Sequence, residues 1–241
     1  MRTRIISKIE IKSDMVVKPI YFEGLKTIGE PKKIISNYIK QGIDELLIID
    51  IVASLYQRKI NFNLFNQVTK KINLPITLGG GVRSIGDVSK LLKIGADKVA
   101  INTALFSKNV NLLNESSKLF GSQCMVVDIN SKLIDGEWYC MTDNGRINSK
   151  KKVFDWIKEC QDRGAGEILL QSIDVDGSMM GPDIKLLEKV EPYIKVPLII
   201  ASGIGNYNHL NQLKKFNPDA ICVSSALHYK KLNVKKIKKY I

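Results

Sequence analysis

Two short glycine-rich turns are the parts of this 241-residue chain best suited to chemistry. Gly79-Gly80-Gly81 leads directly into Val82-Arg83-Ser84 and a helical pattern, and Gly203-Ile204-Gly205 stands in a matching position further on. Glycine lets backbone N–H groups approach an anion closely, and a helix N-terminus adds a dipole that favours negative charge. Each turn has a polar companion at the end of the next apolar run, Asn102-Thr103 for the first and Ser224-Ser225 for the second. One such turn alone is usually no more than a tight bend. Two of them, each with a polar strand end, read as two phosphate sites: Gly80, Gly81, Asn102 and Thr103 in one, Gly203, Ser224 and Ser225 in the other.

These turns need strands to carry them and helices to receive them. Short runs rich in β-branched residues fall at 4–11, 45–51, 76–78, 98–101, 123–129, 167–173, 197–201 and 220–223. Amphipathic stretches such as 31–40, 63–71, 85–93 and 154–163 lie between them. Alternation of this kind predicts parallel strands with crossover helices, and eight repeats predict an α/β protein of the (β/α)8 TIM-barrel class. No Pro/Gly/Ser-rich linker interrupts the pattern, so residues 1–241 are expected to form a single domain. Two connections are long, 12–30 and 131–149, the second with a hairpin-like pair around Asp135-Gly136. The two phosphate sites would face each other across the barrel mouth, an arrangement suited to an elongated substrate with a phosphate at each end.

An internal repeat supports the barrel. Residues 74–105 align without a gap to 196–227, an offset of 122, which superposes Pro75 on Pro197, Gly81 on Gly203 and Asp97 on Asp219. The same offset brings Gly42 and Glu45 onto Gly164 and Glu167. The chain therefore reads as two related half-barrels, approximately 1–120 and 121–241.

Composition sets outer limits. A chain that is 44% hydrophobic and 25% charged can bury a sizeable core. No run reaches the roughly 18 apolar residues of a membrane span, and the N-terminus lacks the apolar core of a signal peptide. The four cysteines show neither disulfide nor metal-ligand spacing, so a reduced, cytoplasmic protein without metal or cofactor is expected. A net charge of +13 invites a nucleic-acid reading, but the lysines are spread over nearly every helix-like segment. Anionic small molecules are the better-fitting partners.

At this level of detail the chain resembles the HisF family, the cyclase subunits of imidazole glycerol phosphate synthase, over essentially its whole length. The resemblance rests on VVK (16–18), DELLIIDIVAS (44–54), LGGGVRS (78–84), GADKVAINTA (95–104), FGSQCMVV (120–127), GAGEILLQSIDVDG (164–177) and ASGIGN (201–206). It implies an enzyme that takes ammonia from a HisH-like glutaminase docked at the bottom of the barrel. The ammonia then meets a bisphosphorylated ribulosyl-formimino nucleotide at the top, giving imidazole glycerol phosphate and an aminoimidazole carboxamide ribotide. By the same resemblance Lys18 contacts substrate, and Ser172, Asp176 and Gly177 help hold it. Arg4, Glu45, Lys98 and Glu167 form a charged ring at the lower end, and Asp97 and Gln123 lie near the glutaminase face.

The departures fall at the chemistry. The family carries aspartates at the ends of strands 1 and 5, where this chain has Glu10 and Asn130. A glutamate keeps acid/base capacity but displaces it, and an amide cannot exchange a proton near neutral pH. Strand alternation turns Lys8 and Glu10 inward on strand 1, and Asp128 and Asn130 inward on strand 5. Lys8 and Asp128 replace small, uncharged residues of the family at one level, so a Lys8–Asp128 ion pair across the interior is expected. Such a pair either plugs the lumen or makes Asp128 the displaced catalytic carboxylate, with Lys8 tuning it. ASGIG is also one residue shorter than the family's usual turn, which would loosen the second phosphate site.

Two functions remain open from the sequence. One is the histidine-pathway cyclase. The other is a divergent paralogue that passes glutaminase-derived ammonia to a sugar amidotransferase of surface-polysaccharide synthesis, a reading suggested by the altered pair and by the KTIGEP and RKINFNLF segments. A sister isomerase of the same architecture fits the motifs less well.

Overall fold

A computed structural model of the chain describes residues 2–70, 72–106 and 111–241. Eight parallel strands close into a barrel: β1 (Arg4–Lys12), β2 (Glu45–Asp50), β3 (Ile76–Gly79), β4 (Lys98–Ile101), β5 (Met125–Ile134), β6 (Glu167–Ser172), β7 (Leu198–Ala201) and β8 (Ala220–Val223). Each pairs with the next in sequence, and β8 returns to β1. The expected TIM barrel is thus the observed one. Helices α1 (Pro31–Lys40), α2 (Phe62–Thr69), α3 (Ile85–Lys93), α4 (Leu112–Phe120), α5 (Val153–Asp162), α6 (Ile184–Val190) and α7 (Tyr207–Lys214) connect the strands. The short α8 (Ser225–His228) and the terminal α9 (Val234–Tyr240) follow β8. The expected end of the second helix at Lys71 lies outside the described residues. Among those residues no helix is long and apolar enough to cross a membrane.

Alternation along the strands produces two cores. Ile5, Ile9, Ile48, Leu78, Val127 and Ile168 face the helices in one buried cluster. Ile6, Leu47, Ala100, Val126, Leu169, Ile199 and Ala220 fill the barrel interior in another. That inner apolar plug separates the charged lower end from the polar mouth.

Both long connections carry structure that the apolar pattern did not reveal. Residues 15–29 form an antiparallel pair of strands, Met15–Ile20 with Glu23–Gly29. The segment holds Pro19 and does not alternate cleanly, so it read as loop. β5 runs on to Ile134 and turns through Asp135 and Gly136, both at positive φ, into the strand Glu137–Thr142. This is the two-residue hairpin that an Asp-Gly pair favours. A third strand, Ile147–Lys152, completes the excursion.

The two excursions meet over the mouth. Phe22 from the first packs with Met141 from the second and with Ile173 beyond β6. Gly145 lies against both Phe22 and Ile173, and Tyr21 donates its backbone N–H to the Asp176 carbonyl at 2.8 Å. The first connection is therefore a seated lid.

The 122-residue offset recurs in the hydrogen bonding. Ser84 caps α3 by accepting from the Asp87 N–H, and Asn206 caps α7 by accepting from the His209 N–H. Asp97 accepts the Ile76 N–H at 2.8 Å, and Asp219 accepts the Leu198 N–H at 2.9 Å. The second turn is tightly braced: a Cβ on Gly203 would stand 1.9 Å from the Gly181 carbonyl oxygen, and one on Gly205 would stand 2.0 Å from that of Met179. The shorter turn is therefore packed, not loose. Gly203→Ala is expected to cost about 3 kcal/mol or more, because it combines backbone strain at positive φ with a backbone clash. Gly136→Ala, also at positive φ but with open space around it, should cost about 1 kcal/mol. Urea unfolding of both variants checks the contrast.

Candidate functional site

At the lower end four side chains form a closed ring. Arg4 pairs with Glu45 at 2.6 Å and Glu167 at 2.8 Å, and Lys98 pairs with the same carboxylates at 3.1 and 2.9 Å. The Thr77 hydroxyl donates to Glu45 at 2.9 Å. These are the four residues that the family resemblance implied for the lower end, and the structure brings them into contact. Gln123 is exposed immediately before β5, and Asp97 uses its carboxylate on the β3 start, so both lie at this same end.

Two pockets open at the other end. The first is lined by Gly80, Gly81, Asn102, Thr103, Asp128 and Asn130. Its parts are fixed from outside. Arg83 reaches the carbonyls of Ala53 and Arg58, Asn102 donates to the Asp128 carbonyl at 2.8 Å, and Thr103 accepts the Asp143 N–H at 3.0 Å. The second pocket is lined by Asp176, Gly177, Ser202, Gly203, Ser224 and Ser225. Lys8 and Gln171 line both, forming the wall between them.

One expected ligand residue lies elsewhere. Ser172 is turned outward by strand alternation and donates to Asp183 at 2.9 Å, where Asp183 also caps α6 and accepts from Trp138. Lys18 is in the right region but is not presented to either pocket. Buried at 1% exposure, its ammonium donates to Glu10 at 2.6 Å and to Asp176 at 3.0 Å.

A continuous buried network joins the pockets. Ser202 donates to Asp176, Asp176 holds Lys18, and Lys18 shares Glu10 with Lys8, whose ammonium lies 3.0 Å from that carboxylate. Ser224 adds a hydroxyl on Glu10 at 3.2 Å. The expected direct Lys8–Asp128 ion pair is replaced by a bridge. Lys8 donates to Gln171 Oε1 at 2.6 Å, and Gln171 Nε2 donates to Asp128 Oδ1 at 2.7 Å and Asn130 Oδ1 at 2.8 Å. The two ends of one amide match the two signs of charge, which is why it can stand between them. Sequence reading missed Gln171, although its signal was present: it lies two steps of two residues beyond Glu167 on the same inward face.

The histidine biosynthesis protein family model matches residues 4–233. Over 236 residues the chain is 39% identical to imidazole glycerol phosphate synthase subunit HisF of Flavobacterium johnsoniae, spanning 98% of this chain and 94% of that relative. The relative of the same name from Campylobacter concisus is 39% identical over 238 residues, spanning 99% of this chain and 94% of its own length. That from Legionella pneumophila is 41% identical over 209 residues, spanning 86% and 98%. The chain belongs to the HisF family.

Within this HisF barrel the charged groups Glu10, Lys8 and Asp128 have different environments. Burial pushes the Glu10 carboxyl up, but Lys18 and Lys8 overcome it and hold the group down at about 2. Burial also lowers the affinity of Lys8 for its proton, yet Glu10, Asp176 and Asp128 together raise it above the ordinary lysine value. Asp128 has no ammonium in contact, and burial pushes its carboxyl up to about 6 against the weaker pull of Lys8 and Gln171. Of these groups, Asp128 is the one placed to gain and lose a proton near neutrality.

The raised Asp128 value fixes a sign for stability. Below about pH 4 the carboxyl is protonated folded or unfolded, so it contributes nothing. Between there and pH 6 the unfolded chain loses the proton first, and stability falls as pH rises. Asp128→Asn should therefore stabilise the fold by about 2–3 kcal/mol at ~pH 7.5 and by little at ~pH 3.5. Chemical denaturation at the two pH values measures this directly.

Proposed function

We propose that this chain is the cyclase subunit of an imidazole glycerol phosphate synthase, a cytoplasmic lyase of histidine biosynthesis acting as one unit of two half-barrels. A HisH-like glutaminase would dock on the N-terminal face, around the Arg4–Glu45–Lys98–Glu167 ring and the nearby Asp97 and Gln123. Its ammonia would be joined to a bisphosphorylated ribulosyl-formimino nucleotide held by the two pockets. The name that the relatives carry supports this reading, as do the two glycine turns on opposite sides of one mouth. The observation that carries it is Asp128, a carboxyl with a raised pKa on the wall of the first pocket and joined through Gln171 and Lys8 to the second. General acid/base catalysis needs a group that can exchange its proton near the working pH, and Asp128 meets that condition where Glu10 and Asn130 do not.

A second reading is favoured by the state of the other two positions. Glu10 is clamped by two ammonium groups, and Asn130 is an amide held by Gln171. A paralogue that passes ammonia to a sugar amidotransferase would need the scaffold and the ring but not that acid/base pair.

The deciding experiment supplies the purified protein with the bisphosphorylated nucleotide and an ammonium salt, bypassing any glutaminase. Ring closure is expected, with Asp128→Asn lowering turnover by about 100-fold or more. Absence of turnover, together with failure to support growth of a cyclase-deficient strain without histidine, would sink the cyclase reading and leave the paralogue. Full turnover by Asp128→Asn would overturn the role given to Asp128.

A further inference from the structure

Gln171 is 1% exposed, and its amide accepts from the Lys8 ammonium while its N–H groups donate to Asp128 and to the neutral Asn130. Its backbone carbonyl is itself fixed, accepting from the Ser131 hydroxyl at 2.8 Å. The charged groups that act on Asp128 are Lys8 and Glu10, both from β1, and the uncharged polar neighbours are Asn130 and Gln171. Lys8 has two contacts, Glu10 and the Gln171 oxygen, together with the Phe22 ring 5.4 Å away. Lys8 feels the charge of Asp128 as well as those of Glu10 and Asp176, and it shares the lining of the first pocket with Asp128.

We propose that Gln171 is a positioning residue for Asp128: its amide stands between Lys8 and Asp128, accepting from the ammonium and donating to the carboxyl, and so prevents a direct ion pair. The role given to Asp128 in turnover rests on the cyclase reading above. The separation of the two charges does not.

The arrangement gives a definite logic. An opposite charge in direct contact stabilises the ionised carboxylate and would take Asp128 out of the neutral range. A neutral amide satisfies both buried groups while keeping the full charge of Lys8 one side chain away. Had Gln171 been only a hydrogen-bond donor, its loss would make the ionised form less favourable, and the midpoint of Asp128 would rise. If it is a separator, its loss lets Lys8 through, and the midpoint falls. The two roles thus predict opposite signs.

The test is a titration without substrate, using protein labelled with carbon-13 at aspartate carboxyls and assigned against Asp128→Asn. In Gln171→Ala the Asp128 midpoint should fall by about one unit or more. In Lys8→Met/Gln171→Ala it should not fall, because no ammonium remains to move in. An unchanged or raised midpoint in Gln171→Ala, or an equal fall in both backgrounds, would overturn the proposal. Gln171→Ser, which also clears the space between the two charges, serves the same comparison if the alanine variant does not fold. Lys8→Met alone needs no change at 171: a separated ammonium lets the midpoint rise by less than about one unit, a direct pair by about two or more. Failure of these shifts removes the role of Gln171 alone, whereas full turnover by Asp128→Asn removes the cyclase role of Asp128 and leaves the separation standing.

Discussion

Charge balance in a buried space is the constraint on which this site depends. Around the upper barrel interior two lysines, Lys8 and Lys18, meet three carboxyls, Glu10, Asp128 and Asp176, while the buried Asp50 at the edge of the first pocket is paired with Arg58. Taking charges out of water is costly unless each is paired or hydrogen-bonded. Two of the carboxyls are matched directly by ammonium groups, and the third is met by amide and not by cation. The result is a sorted set, in which matched groups hold the scaffold together and the leftover carboxyl is free to titrate. Lys8 in place of a small residue would be untenable alone; with Glu10 and Gln171 it becomes part of the wall.

Much of this was legible beforehand because barrels translate sequence into position by simple rules. Alternation on β1 and β5 turned Lys8, Glu10, Asp128 and Asn130 inward, and the repeat put the two glycine turns on equivalent strands. The ring of Arg4, Glu45, Lys98 and Glu167 was implied by the family resemblance and not by these rules. What failed was finer than strand geometry. Opposite charges at one level suggested a direct pair, but a barrel is wide enough for an intervening side chain, and β6 supplied one. Ser172 went astray because the resemblance named a residue that alternation turns away from the mouth. The lid hairpin was missed because its half-buried strands gain their order from docking on the loop after β6, not from a periodic apolar face.

The lid and the network are parts of one construction. Lys18 belongs to the lid strand Met15–Ile20, yet both of its partners belong to the barrel, on β1 and in the loop after β6. Phe22 at the lid tip then packs where the second excursion arrives. Polar contacts thus fix the base of the lid and apolar ones its tip. Gly177 leaves room for the Pro19 carbonyl to pass close by, since a Cβ there would stand 2.5 Å from that oxygen.

The common wall of Lys8 and Gln171 has a thermodynamic consequence. Because both side chains border both pockets, an anion that draws on Lys8 from one side changes what the other side offers. Anions held at the two pockets, as the proposed function requires, would therefore not bind independently. Such a coupling would be reciprocal, each occupant altering the affinity of the other by the same factor. A ligand carrying an anionic group at both ends would be read as a single cooperative unit, whereas two separate anions would sense each other through one ammonium and one amide.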